Sequence, residues 1–458
     1  MKAGGSINRI KSSLIILVLL LYFLNIFIDS ETIYVWLSLF AFLLLVVAIP
    51  SSKAMTKVMG ISLLAIGLGI SIFMNGSTLI ESVQGIQLNL PLLILILLAP
   101  LLSIPLKSGT LLNAPMAYIE QVKNKPGQLF LGISSFLALL APVLNVGSVR
   151  ILADLMKDRK LSGELLGRSY FTGFSTAMVW SPYFGSVALV LYYLDIPYSE
   201  YFIIGLLFAA AQLLMGNLLF AMKNGVGEGE SAGKNQDVSE GIHIFPLVLK
   251  FVASLGLLIF ALIFLEQMTK LPMIVLVSML AIIIPAIWMA FAGKWKSFVD
   301  QVIVYKNQVT GGTGTEMVLF LSAGVFGSAI SNSSISGWIK SFLLLISEGS
   351  FIFFVVFIVF TIMFFALIGF HQIITVPLLV MQVDPAAIGM PPVAIAFVFI
   401  LAWFMSAIIS PINAVTILIS NAVSKKFFTV GFRWNGLYVL SMFLVGCVFI
   451  YALQAIYR

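Results

Sequence analysis

Residues 351–368 read FIFFVVFIVFTIMFFALI, a run in which Thr361 is the one polar side chain. A strand of a membrane barrel would alternate polar and apolar positions over short segments, and this run does not. As a helix it is long enough to enter hydrocarbon, where a helix satisfies every backbone N–H and C=O within its own segment. Similar runs recur along the 458 residues, of which 61% are hydrophobic and 9% charged. With a mean hydropathy of +1.12, a soluble domain could not cover its surface. The sequence therefore predicts an all-α polytopic membrane protein whose first partner is the lipid bilayer.

Spans are expected near 13–28, 33–49, 56–74, 90–106, 169–192, 200–222, 245–266, 272–292, 316–332, 391–420 and 435–455. The formal net charge of +7 comes from Lys and Arg in short loops beside hydrophobic ends, where they set orientation, so no nucleic-acid partner is expected. Cys447, the single cysteine, lies in an apolar span and excludes intrachain disulfides and cysteine metal clusters. Residues 13–28 follow Lys2, Arg9 and Lys11 as a signal peptide would. They are followed by Asp29-Ser30-Glu31 rather than a small-residue cleavage site, which makes them an uncleaved first span.

Charge parity then exposes two segments that cannot be simple spans. The basic N-terminus faces the cytoplasm, as do Lys53 and Lys57, then Lys107, Lys123 and Lys125. The next basic cluster, Arg150, Lys157, Arg159, Lys160 and Arg168, falls on the same side, so 129–156 must enter and leave by one face. It is predicted to be a re-entrant hairpin with its tip at Leu144-Asn145-Val146-Gly147. By the same count 351–382 dips in from outside, with a tip at Gly369-Phe370-His371-Gln372. The total is eleven crossings and two hairpins, N-terminus in and C-terminus out. Lys223 to Gly241, KNGVGEGESAGKNQDVSEG, reads as a cytoplasmic linker.

Two stretches resemble one another: WSPYFGSVAL at 180–189 and ISPINAVTIL at 409–418. Each Ser-Pro lies inside a long hydrophobic segment and follows its hairpin tip by a similar interval. Proline removes a backbone donor and clashes with the preceding turn, so each helix should break there. The preceding spans also pair off, 33–49, 56–74 and 90–106 against 245–266, 272–292 and 316–332, each pair crossing in opposite directions. The expected organisation is an extra span at 1–32, a first inverted-topology repeat at 33–222, a linker at 223–244 and a second repeat at 245–458. Broken helices at matching positions of two inverted halves point to the central site of a transporter.

On these features, with Leu-Asn-Val-Gly at 144–147 and Ser-Pro at 181–182 and 410–411, the chain resembles the ion transporter superfamily. That group includes divalent-anion/sodium symporters, arsenite pumps and the large permease subunits of tripartite carriers. The resemblance covers nearly everything after residue 33. It implies two hairpins and two broken helices meeting at substrate and cation sites, a homodimer, and residence in a cell membrane such as the bacterial cytoplasmic membrane. The Ser-Asn-Thr signatures of the dicarboxylate branch are absent, which leaves the solute and the coupling ion, Na⁺ or H⁺, open.

The candidate binding residues are Asn145, Gly147 and Ser148 at the first tip, His371 and Gln372 at the second, Ser181, Pro182 and Gly185 at the first break, and Ser410, Pro411, Asn413 and Thr416 at the second. Oxygens of Asn145, Ser181, Ser410 and Asn413, with carbonyls freed by the breaks, would make a neutral cage suited to Na⁺; no firm metal site is expected. His371 at the end of a long apolar run could hold an anionic solute or carry a proton. Arg150 and Lys107 read as snorkelling cations, Asp154, Asp158 and Glu164 as groups that pair with the basic residues of their stretch or face water, and His243 as solvated. Gly311-Gly312-Thr313-Gly314-Thr315 lacks the lysine of a phosphate loop. The expected activity is secondary active transport of a small, anionic solute without enzymatic chemistry or other cofactors. The rivals are a membrane-embedded glycan polymerase or ligase, which would need a large external loop, and a passive channel, whose paired Asn-Pro-Ala boxes are missing.

Overall fold

The computed structural model of the chain describes residues 2–107, 118–119, 122, 125–157, 159, 161–224 and 244–457. Most of the expected linker, with His243, and Asp158 lie outside the described residues. The described chain is helical throughout, without strands. Its helices are α1 Lys2–Ile28, α2 Glu31–Ala48, α3 Ala54–Gly69, α4 Leu79–Gln84, α5 Leu90–Leu98, α6 Ser103–Lys107, α7 Pro126–Leu144, α8 Val146–Met156, α9 Gly163–Trp180, α10 Gly185–Tyr193 and α11 Tyr198–Asn224. They continue as α12 Ile244–Thr269, α13 Met273–Phe291, α14 Trp295–Gly312, α15 Gly314–Ser331, α16 Ser334–Gly349, α17 Phe351–Leu367, α18 Gln372–Val380, α19 Pro385–Ile388, α20 Pro392–Ile409, α21 Ala414–Ala422 and α22 Gly436–Ile456.

Among the described residues, 12 segments are long and apolar enough to cross a membrane. Eleven coincide with the expected spans, and the twelfth, Pro126–Leu144, is the first leg of the expected first hairpin. This is an integral, polytopic, all-α membrane protein. Two stretches read as loops are instead helices, α14 and α16. Each carries polar residues on one face, such as Lys296, Asp300 and Lys306 on α14, so neither stands out as a hydrophobic run.

The chain divides into two compact units that do not follow its sequence halves. The first comprises Met1–Ile104, Ser278–Gly349 and Ile373–Ile388. The second comprises Pro105–Val277, Ser350–Gln372 and Gly389–Arg458. The two legs of the expected second hairpin, α17 and most of α18, thus belong to different units.

In the first unit α3 and α15 pack at backbone distance through small residues, as membrane helices do when hydrocarbon gives them no hydrophobic incentive to associate. A Cβ at Gly67 would lie 2.8 Å from Phe326 Cα, and one at Gly60 would strike the Val318 side chain. Gly324 makes a similar approach to the backbone at Ile86, where a Cβ would lie 2.9 Å from the carbonyl oxygen. The far end of this unit is tied by amide and hydroxyl groups: Gln382 Nε2 donates to Ser331 Oγ at 3.0 Å, while Ser336 Oγ donates to Gln382 Oε1.

In the second unit α22 serves as a ruler for the hairpins. Near its start, Phe130 of α7 stacks on Phe220 of α11 at 4.3 Å, and Glu164 at the start of α9 pairs with Lys223 at the end of α11. Trp434, just before α22, lies against Gly167. Helices α7 and α9 therefore begin at one face, and 126–156 returns to the face it left, as charge parity demanded. At the other end of α22, Phe351 of α17 meets Tyr451 at 6.2 Å, and Phe397 of α20 meets Phe449 at 5.9 Å. Helices α17 and α20 therefore both begin at the opposite face.

Two outcomes test this architecture. With Cys447→Ala as background, Lys125→Cys and Leu161→Cys should label together from one side of the membrane, and Ser350→Cys with Pro392→Cys from the other. Gly67→Ala should lower the thermal midpoint through overpacking on the order of 1–3 kcal/mol. Gly256→Ala, where a Cβ meets nothing within 4 Å, should raise it slightly.

Candidate functional site

Both Ser-Pro steps interrupt their helices. Helix α9 ends at Trp180 and α10 resumes at Gly185; α20 ends at Ile409 and α21 resumes at Ala414. At the first, Ser181 N still donates to Ala177 O at 3.0 Å, but Pro182 has no N–H to offer Met178. Side-chain hydroxyls replace the lost donors one by one. Ser186 Oγ donates to Met178 O, Tyr201 Oη to Val179 O at 2.8 Å and Tyr198 Oη to Trp180 O at 2.8 Å. At the second break Thr416 Oγ1 donates to Ala407 O at 2.7 Å, the carbonyl that Pro411 leaves without a partner. In hydrocarbon each such carbonyl would otherwise be an unsatisfied polar group.

The serine of each Ser-Pro step reaches the adjacent hairpin. Ser181 Oγ donates to Pro142 O at 3.1 Å, three residues before Asn145, whose φ is +49°. Ser410 Oγ donates to Ala366 O at 3.1 Å, three residues before Gly369, whose φ is +99°. The same construction therefore occurs twice in one compact unit. The copies pack on one another: α8 lies against α21, and α10 against α20.

Every sequence-predicted site residue belongs to this unit. At the first tip Asn145 Oδ1 accepts from Val146 N at 2.7 Å and caps α8, while Ser148 Oγ donates to Asn145 O at 2.6 Å. Gly147 is exposed, and a Cβ there would meet nothing within 4 Å. At the breaks Ser181, Ser410 and Thr416 are fully buried, Pro182 is buried, and Gly185 and Pro411 are partly exposed. Asn413 Oδ1 accepts from Val415 N at 3.0 Å and caps α21. At the second tip His371 is partly buried, and Gln372 is buried with its Oε1 unpaired among the described residues. Arg150 and Asp154 are exposed.

This geometry has a chemical consequence. A serine or threonine that spends its one hydrogen on a carbonyl presents only lone pairs elsewhere. Ser148, Ser181, Ser410 and Thr416 therefore keep only acceptor capacity, all four buried, and Ser181 Oγ already accepts from Tyr183 N at 3.3 Å. The starts of α8, α10 and α21 supply the opposite kind of group, since the first N–H donors of a helix have no intrahelical partner and carry its positive dipole end. The region holds both polarities without a formal charge from any of these groups.

Three residues of the construction were not legible as such: Ser186, Tyr198 and Tyr201. The two tyrosines lie three apart at the start of α11, the one hint that they share a face. A fourth is Glu266, assigned to no role. Its helix runs on to Thr269, and its buried carboxylate accepts from Tyr198 N at 2.9 Å and Ser199 N at 3.3 Å. It caps α11 and thereby fixes the tyrosine that in turn caps Trp180.

Comparison of the chain with protein-family models and with curated proteins finds no match.

Removing the phenolic hydroxyls tests the break directly. Tyr198→Phe and Tyr201→Phe should each lower the thermal midpoint by the equivalent of about 1–3 kcal/mol, the cost of an orphaned buried carbonyl. Because the two carbonyls are adjacent, the double variant should depart from additivity.

Proposed function

We propose that this protein is a secondary active transporter, related to the ion transporter superfamily, that moves a small anionic solute by alternating access coupled to Na⁺ or H⁺. The observation that carries this reading is the duplicated Ser-Pro construction, in which each interrupted helix is tied by its serine to the carbonyl just before a chain reversal. Interrupted backbone is costly in a bilayer and is retained where it lines a solute path. The opposite starting faces of α7 and α17 support two inverted repeats.

Gly147 adds a second line of support. A glycine inside a helical turn costs roughly 1 kcal/mol relative to alanine, yet no neighbouring atom requires one here. In the proposed site the solute approaches the backbone there. In this reading the solute's negative group lies at the helix starts of α8, α10 and α21. A coupling Na⁺ would take remaining lone pairs of Ser181 and Ser410 with the amide oxygens of Asn145 and Asn413; in a proton-coupled protein His371 is the carrier. A homodimer in the bacterial cytoplasmic membrane, N-terminus inside and C-terminus outside, completes the proposal, and no catalytic step is assigned.

Purified protein in liposomes, given an imposed Na⁺ or H⁺ gradient and screened against organic acids, should accumulate at least one of them against its concentration gradient. Gly147→Val should cut the initial rate about tenfold or more, as misplacement at a bound solute does, while the thermal midpoint stays near that of the unsubstituted protein. Uptake that proceeds equally without a gradient would indicate a channel and refute coupling.

A further inference from the structure

The second unit contains a small half-open recess whose walls include Phe130, Arg168, Thr172, Trp434, Asn435 and Tyr438. It is distinct from the Ser-Pro breaks. Four membrane segments contribute, Pro126–Leu144, Gly163–Tyr193, Tyr198–Lys223 and Gly436–Ile456, and each does so within three turns of an end. The cavity therefore lies toward the face where α7 and α9 begin.

Its electrostatics favour an anion. Arg168 Nε sits 3.0 Å from Glu164 Oε1, but among the described residues that buried nitrogen makes no hydrogen bond, so the ion pair leaves the donor misdirected. Lys223 Nζ pairs with the same carboxylate oxygen. Two cations thus share one acid, leaving an excess positive charge beside the cavity. The remaining wall is held in place: Asn435 Nδ2 donates to Val430 O at 2.7 Å, and Tyr438 Oη pairs with Ser175 Oγ at 3.0 Å. A guanidinium suits a phosphodiester because its planar fork matches two oxygens at once.

The mouth favours a lipid over a soluble anion. Leu219 and Leu437 line the cavity, and beside them Leu214, Leu218 and Met222 on α11, with Leu440 and Leu444 on α22, are exposed. These apolar faces lead away from the cavity along the hydrocarbon, as acyl chains do, and Trp434 supplies the interfacial aromatic. We propose that this cavity binds the phosphate headgroup of an anionic glycerophospholipid, with Arg168 as its principal contact and its chains along α11 and α22.

The test titrates the delipidated full-length protein in detergent with phosphatidylglycerol, phosphatidylcholine and inorganic phosphate, and counts bound lipid by native mass spectrometry. Phosphatidylglycerol should bind about tenfold more tightly than phosphatidylcholine. Arg168→Gln should abolish that preference, Arg168→Lys should keep part of it, and Arg433→Gln, at an exposed arginine outside the cavity wall, should leave it intact. Should Arg168→Gln fail to fold, Leu437→Trp, which narrows the mouth from an exposed position, should weaken phosphatidylglycerol binding instead. Equal binding of the two lipids, an undiminished preference in Arg168→Gln, or undiminished phosphatidylglycerol binding in Leu437→Trp overturns the proposal. Displacement of phosphatidylglycerol by inorganic phosphate overturns the lipid assignment and identifies a site for free anions.

Discussion

A proline inside the bilayer leaves a carbonyl without its donor, and hydrocarbon supplies nothing in exchange. Met178 and Ala407 are the carbonyls that Pro182 and Pro411 leave behind, and Val179 and Trp180 join them because the chain turns away after Ser181. Much of the second unit follows from providing for them. Ser186 and Thr416 stand one turn into the resumed helices, where their hydroxyls fold back. Tyr198 and Tyr201 must open α11 at the height of the break. Glu266 must reach the start of α11 to hold the first of them. Each link serves the one before it.

The first unit meets the same solvent with a different device. At its closest contacts this unit removes side chains: α3 and α15 approach through Gly60 and Gly67, and Gly324 lets α15 meet the backbone at Ile86. Close-packed rods of this kind resist internal change, because a single added methyl has nowhere to go. The second unit instead concentrates interrupted backbone, reversed turns and inward-donating hydroxyls.

Some of this was legible in the residues themselves. Proline acts on its own helix, so the two breaks could be read from Ser181-Pro182 and Ser410-Pro411 without any partner. Lys and Arg report the side of the membrane, and the parity conflict between Lys123–Lys125 and Arg150–Arg168 was enough to fold 129–156 back on itself. Helices α14 and α16 were missed because their polar faces dilute the hydrophobic run that marks a span. Ser186 lay within a stretch already singled out, yet its role depends on where the chain goes after the break.

The sequence by itself determined the class of solvent, the all-helical architecture, the two interruptions and the reversal at Asn145, since each follows from composition or from a constraint acting within a few residues. Only the tertiary structure decided which groups would cap the freed carbonyls and how the two sequence halves would divide between compact units. Tyr198, Tyr201 and Glu266 matter through partners that are distant along the chain and near in space. Hydrogen bonds of that kind are set by how helices are placed beside one another, and no local pattern records it.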